Sequence, residues 1–170
     1  MIEYLYAQGH RKIGLIGGKP DQSRPSLSRL TGSQSAMFRL GLPFEMEKQY
    51  AYARFSLQSG YTAMEYLLKH CPDITAVFAM SDLMALGAIR ALNDHGLRVP
   101  QDISVSGYDG IALGRYSNPR LTTIRQNSER LAQRGAEILL NCMENGSSAV
   151  HEVVPFELIE DESVAALPNH

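Results

Sequence analysis

The chain has 170 residues, with Lys and Arg totalling 16 against 18 Asp and Glu, a formal charge of -2. At roughly 150 residues per domain this is one domain, long enough to bury a core. The charge balance argues against a basic nucleic-acid-binding face as its main feature. Hydrophobic residues make up 44%, yet no uncharged apolar run approaches the ~18 residues of a membrane span. Glu3 falls in the N-terminal helical pattern and no small-residue cleavage site follows, so no secretory signal is visible. The two cysteines, Cys71 and Cys142, stand in unrelated contexts. They suit a reducing cytoplasm better than a disulfide framework.

In chain order, Met1–Gln8 reads as the end of a helix stopped by Gly9, and Lys12–Ile16 as a short apolar strand broken at Gly17-Gly18-Lys19-Pro20. Ser28–Leu40 has helical spacing in Leu30, Met37 and Leu40, and Gly41 and Pro43 end it. Tyr50–Arg54 is a second strand, and Ser56–His70 a helix carrying Tyr61, Met64, Leu67 and Leu68. After Pro72, Thr75–Met80 is apolar throughout, as a strand buried on both faces would be. Asp82–His95 is the clearest helix, closed by Gly96. Ile103–Ser106 is a strand leading into a polar loop, Gly107–Gly114, and Leu121–Arg125 is another strand. Ser128–Asn145 is a helix, Asn145-Gly146-Ser147-Ser148 a turn, Val150–Ile159 a last strand, and the segment after Asp161 a loose tail. Strands alternating with helices predict an α/β fold: a mostly parallel sheet with helices on both faces.

Several familiar chemistries are not supported. Gly14–Lys19 lacks the glycine spacing and the Ser or Thr of a phosphate loop, since Ile13 and Pro20 stand at those places. His10, His70, His95, His151 and His170 have no partner at metal-ligand spacing. No Gly-x-Ser-x-Gly elbow occurs and Cys71 has no nearby base. The expectation is a protein that is not an enzyme and needs no metal or cofactor.

Parallel sheets bind ligands beyond the carboxyl ends of their strands. The groups following successive strands are Arg29, Phe55, Ser81 (with Asp82) and Asp109 (with Tyr108). A guanidinium fork, an aromatic face, a hydroxyl and a carboxylate suit a small polyhydroxylated or heterocyclic ligand. Each has a plainer structural alternative. Ser81 or Asp82 would cap a helix, Asp109 would form a turn before Gly110, Phe55 would be core, and Arg29 a solvated helix charge.

The chain resembles the effector-binding domain of the LacI/GalR family of bacterial transcription regulators. The resemblance rests on Tyr4–Gly18, Arg29-Leu30-Thr31-Gly32, Phe55–Tyr61, Thr75–Leu92, Gly96–Asp109 and Pro119–Gln126, in order and spacing. It implies a periplasmic-binding-protein-like type I fold of two α/β subdomains around a cleft. Residues 1–126 would be the C-terminal subdomain, 127–148 a helix belonging to a missing N-terminal subdomain, 149–160 a return strand and 161–170 a tail. By position, Arg29, Phe55, Ser81, Asp109 and Gln126 would bind the effector, a sugar or nucleobase-type molecule. A homodimer surface would fall on Ser56, Ser59, Tyr61, Ala85, Ala88, Ile89, Leu113 and Tyr116, with packing against the sheet as the alternative for the alanines. Operator DNA would be reached only through a headpiece absent from this chain, with no membrane partner. Two departures from the family pattern stand out: Glu160-Asp161-Glu162 at the last strand's exit, where an Arg is usual, and Ser33 and Ser35 in place of bulkier residues. A transport receptor of the same fold and an enzyme on a phosphosugar, with Asp109 as base, are the competing readings. The apolar face of helix Ser128–Asn145 predicts docking on its own sheet or pairing with a second copy.

Overall fold

The computed structural model describes residues 1–146 and 151–167. The strands are β1 (Ile13–Gly17), β2 (Tyr50–Tyr52), β3 (Ala76–Ala79), β4 (Ser104–Asp109), β5 (Thr122–Gln126) and β6 (Phe156–Ile159). The helices are α1 (Ile2–Ala7), α2 (Arg24–Arg39), α3 (Met46–Gln49), α4 (Leu57–His70), α5 (Asp82–Asp94) and α6 (Ser128–Asn145), with a 3-10 turn at Ala112–Arg115. One sheet runs β2-β1-β3-β4-β5-β6. Its first five members are parallel, and β6 returns antiparallel to β5. This is the α/β architecture that the alternating pattern predicts.

Register shows how the helices are shared between the faces. Gly14, Val77 and Val105 are aligned across β1, β3 and β4, and Gly14 faces Leu67 of α4. Phe78, Tyr108 and Ile124 point the other way, toward α1 and α2. β1 and β3 are buried at every position because both faces are covered. Between α4 and α5 the backbones nearly touch. A Cβ on Gly60 would lie 2.2 Å from the Met84 carbonyl oxygen, and one on Gly87 would lie 2.0 Å from that of Leu57. Only glycine permits this approach.

Four segments differ from the sequence expectation. Helix α2 starts at Arg24 rather than Ser28: Ser23 is its N-cap, accepting from the Ser26 amide, and Pro25 sits in the first turn. Proline there costs no helical hydrogen bond, so it is no breaker. Strand β4 continues to Asp109, into the stretch expected as a polar loop. The segment after Asp161 is not loose. Ser163 is wholly buried, its hydroxyl donating to the Val105 carbonyl at 2.6 Å and accepting from the Thr122 amide at 2.8 Å. The Leu167 amide donates to Gln8. The acidic run that departs from the family pattern is answered by Arg120, which pairs with Asp161 and Glu162, each at 3.0 Å.

The fourth difference is α6. It does not dock on its own sheet: none of its described side chains is buried, and Leu131, Leu139, Leu140 and Met143 are exposed. Its N-cap is Asn127 and its C-cap Gly146, in the left-handed region at φ 60°. Ser147-Ser148, Val150 and His170 lie outside the described residues; of the expected last strand, residues 151–155 are irregular and only Phe156–Ile159 forms β6.

Candidate functional site

The carboxyl ends of β1–β5 form one edge of the sheet, and the sequence-predicted groups lie along it. Arg29, in α2, reaches over the end of β3. Its Nη1 donates to the Met80 carbonyl at 2.5 Å, its guanidinium stacks 3.9 Å above the Tyr108 ring, and Nη2 lies 3.6 Å from Oδ1 of Asp109. Ser33, one of the unexpectedly small residues, is buried and donates to the Arg29 carbonyl at 2.8 Å. Ser35 accepts from Arg39 at 3.0 Å.

Asp109 ends β4, and Gln126, at the end of the neighbouring β5, donates to its Oδ1 at 2.9 Å. Burial raises the Asp109 carboxyl above the usual carboxylate range, with the Arg29 charge opposing and the nearby Asp82 adding to the rise. Arg29, Asp109 and Gln126 therefore meet in one polar cluster, with Tyr108 supporting the cation. Asp109, Gln126, Arg125 and Leu131 also line a hollow of about 640 Å³ that runs under α6.

Phe55 lies at the same edge but outside this cluster. It follows β2, is 37% exposed, and borders a separate hollow beside Gly18 and Ser26. Strands β1 and β3 stand between β2 and β4, so the phenyl ring and the carboxylate are on the order of 14 Å apart at the usual strand spacing. Phe55 and Asp109 share one further property. Among the described residues they are the only non-glycines with positive φ, at 52° and 121°. Such backbone costs roughly 1–3 kcal/mol and tends to be kept where function requires it.

Ser81 is a correction. It is 3% exposed, and its hydroxyl accepts from the Met84 amide as the N-cap of α5. Asp82, the other capping candidate, is fully buried and does different work. It accepts from the Ile111 amide at 2.7 Å and the Thr123 hydroxyl at 2.5 Å, fixing the turn that follows Asp109. Three expected interface residues are corrected as well. Ala85 and Ala88 have no exposure and Ile89 has 4%, because α5 is buried within the protomer. The methyl groups of Ala85 and Ala88 and the larger Ile89 side chain all pack inside this chain. Ser56 and Ser59 form a reciprocal capping box at the start of α4, half-buried like Tyr61, whereas Leu113 and Tyr116 are exposed.

Sequence reasoning noted Tyr108 only as a neighbour of Asp109; β-strand alternation with Phe78 was the available signal for its place under Arg29. It missed the hollow at Gly18 because the start of α2 was set too late. Among the described residues no group of three or more His, Cys, Asp or Glu side chains could hold a metal ion. No helix there is long and apolar enough to cross a membrane.

Comparison with known proteins places this geometry. Residues 2–164 match the periplasmic binding protein-like domain. The chain is 41% identical over 167 residues to the HTH-type transcriptional repressor PurR of Edwardsiella ictaluri, covering 97% of this chain and 48% of that protein. The Proteus mirabilis PurR shows the same identity and coverage. Among solved structures, the complex of the transcriptional regulator CelR with cellobiose superimposes with a TM-score of 0.90 at 34% identity, over 95% of this chain and 49% of that one. The lac repressor dimer bound to operator and the anti-inducer ONPF gives 0.89 at 32% identity, over 97% and 56%. A sugar-binding LacI-family regulator from Escherichia coli, complexed with phosphate, gives 0.87 at 30% identity, over 98% and 59%. Fold and relatives define the class: a periplasmic-binding-protein-like α/β unit of the kind built into transcription regulators. The chain belongs to the LacI/GalR family, as part of its effector-binding domain. It spans about half the length of the curated relatives it matches.

Proposed function

We propose that the chain is the ligand-sensing and dimerisation portion of a LacI-type transcriptional repressor answering to a sugar or similar small polar metabolite. The observation that carries this reading is the cluster of Arg29, Asp109 and Gln126 at the carboxyl edge of a parallel sheet, with strained backbone at Asp109 and Phe55. The guanidinium offers directed donors and the carboxylate accepts from hydroxyl or ring N–H groups. The named relatives are repressors and regulators rather than enzymes, which favours sensing over turnover.

Residues 1–126 act as one lobe, 127–148 reach into a second lobe and 149–160 return. The uncovered α6 supports this division. Effector bridging both lobes shifts the population between two arrangements, and a dimer passes the change to DNA-binding headpieces in the cytoplasm. The dimer surface uses Ser56, Ser59, Tyr61, Leu113 and Tyr116, supported by the 49% and 86% exposure of Leu113 and Tyr116.

The test is a thermal-shift screen of the chain against monosaccharides, disaccharides, nucleosides and purines, repeated with Asp109→Asn. A stabilising compound whose effect disappears in the variant is expected. Stabilisation that survives the substitution overturns the assignment of Asp109, and specific, salt-sensitive operator retention by this chain overturns the division of labour.

A further inference from the structure

A second carboxylate stands behind Asp109. Asp82 opens α5 and has no exposure, yet among the described residues it is in no ion pair. Its charge is met by hydrogen-bond donors and by the N-terminal end of the helix, where a negative group is stabilised. Oδ2 accepts from the Ile111 amide and Oδ1 from the Thr123 hydroxyl. Two donors converge on one side chain, and a carboxylate, which only accepts, answers both. Asparagine, of the same shape, would turn an N–H toward one of them.

Strand β4 is shaped around this group. Gly107 is aligned with Thr123 across the β4–β5 pair, and a Cβ on it would lie 2.2 Å from Oδ1 of Asp82. Two residues on, the strand ends in consecutive positive φ angles, 121° at Asp109 and 75° at Gly110. The Ile111 amide that Asp82 holds comes next. Asp109 is therefore pinned on both sides along its backbone, by the pairing with β5 before the turn and by Asp82 after it. A Cβ on Gly110 would lie 2.7 Å from Arg125 Cα, so the turn packs directly on β5.

The two carboxylates also feel each other. The charges that bear on Asp109 are Arg29 from α2, which lowers its value, and Asp82 from α5, which raises it, while Gln126 of β5 donates to it. Arg125, opposite Asp109 in register, pairs with Glu157. A like charge nearby makes a carboxylate hold a proton more tightly, and so makes it a stronger acceptor toward hydroxyl or N–H groups.

We infer that Asp82 is a positioning residue for the effector: through its bonds to Ile111 and Thr123 it fixes the strained turn that aims the Asp109 carboxylate at the ligand. The inference rests on the sensor reading above and adds to it a buried residue that touches no ligand atom.

The experiment compares the parent chain with Asp82→Asn, Thr123→Val and Thr123→Ser. Binding is measured by calorimetry with the monosaccharide, disaccharide, nucleoside or purine whose stabilising effect Asp109→Asn removes. Asp82→Asn is expected to weaken it about tenfold, as loss of a charge-assisted bond does. Without any ligand, the Asp109 carboxyl, followed by NMR, should titrate at lower pH in Asp82→Asn than in the parent, because the like charge is gone. A residue that merely capped α5 would lower the melting temperature and move neither readout. Thr123→Val keeps the charge and removes one donor, so it should weaken binding by a smaller factor, and Thr123→Ser should restore the parent affinity. This pair carries the test if Asp82→Asn does not fold. Parent-like affinity in Asp82→Asn, an Asp109 titration that stays in place, or equal affinities for the two Thr123 variants overturns the inference and leaves the sensor reading standing. Binding that ignores Asp109→Asn for every compound overturns the sensor reading, and this role with it.

Discussion

Nη2 of Arg29 lies 3.6 Å from Oδ1 of Asp109, close enough to attract and too far for a bidentate bond. Each partner is also held from behind, the arginine by the Met80 carbonyl and the Tyr108 ring, the carboxylate by Gln126. Two charges fixed in this way cannot collapse fully onto each other. Both side chains stay partly exposed, at 19% and 34%, which leaves hydrogen-bonding capacity for a ligand.

The carboxylate is held there against its own preference. Burial, with Arg29 opposing, raises the Asp109 value above the ordinary 3.8. The folded chain therefore holds this proton more tightly than the unfolded chain, and stability is lost as pH rises through the window above 3.8. Asp109→Asn is expected to raise the melting temperature of the unliganded chain at neutral pH, with the gain shrinking as pH approaches the ordinary carboxylate value. Thermal melts by circular dichroism across pH check this; a lower melting temperature for the variant contradicts it.

Ser81 should behave as a cap and nothing more. Ser81→Ala removes the acceptor for the Met84 amide and should cost about 1 kcal/mol, or ~3 °C for a chain of this size. Effector affinity, measured by calorimetry, should be unchanged. A large loss of affinity with intact stability would return Ser81 to the ligand site.

Gly87 tests the packing of α4 on α5. Gly87→Ala gains up to about 1 kcal/mol of helix propensity, but its methyl would meet the Leu57 carbonyl at 2.0 Å. Two backbones must separate to admit it, and overpacking of this kind costs on the order of 1–3 kcal/mol or more. Net destabilisation in urea denaturation is expected, and a variant as stable as the parent would show that the helices can part freely.

His10 should make the fold sensitive to mild acid. It is 1% exposed, with Nε2 donating to the Ala165 carbonyl at 3.1 Å and Nδ1 accepting from the Thr75 hydroxyl at 3.0 Å. Burial lowers its value below 6.5, opposed by the Ala165 carbonyl. The unfolded chain protonates first, so stability is complete above 6.5 and is lost as pH falls below it. His10→Gln should flatten that part of the pH–stability curve; an unchanged slope assigns it to another group.

Most of the scaffold was legible because apolar runs such as Thr75–Met80 and the periodic Asp82–His95 carry strong local signals. The rule that ligands gather at strand ends picked out Arg29 and Asp109, and the family resemblance added Gln126; the structure brings these three side chains together. The rule failed for Ser81 because a serine before a helix satisfies the ligand pattern and the capping pattern equally. The dimer surface that the resemblance implied does not extend to Ala85, Ala88 and Ile89, because a helix's small or apolar residues do not reveal whether the close neighbour is the same chain or another. The 161–167 segment looked loose because its anchors, Ser163 and Arg120, are short polar contacts with no periodicity.

The most direct test of the sensor account is a double-mutant cycle on effector affinity. Calorimetric titration of the best compound from the screen would compare the parent chain with Arg29→Gln, Asp109→Asn and the double variant. Each single change should weaken binding about tenfold or more, and the double loss should depart from the sum by at least ~0.5 kcal/mol, because the two side chains act on one ligand as a unit. Single variants that bind like the parent, or losses that simply add, would contradict a shared site.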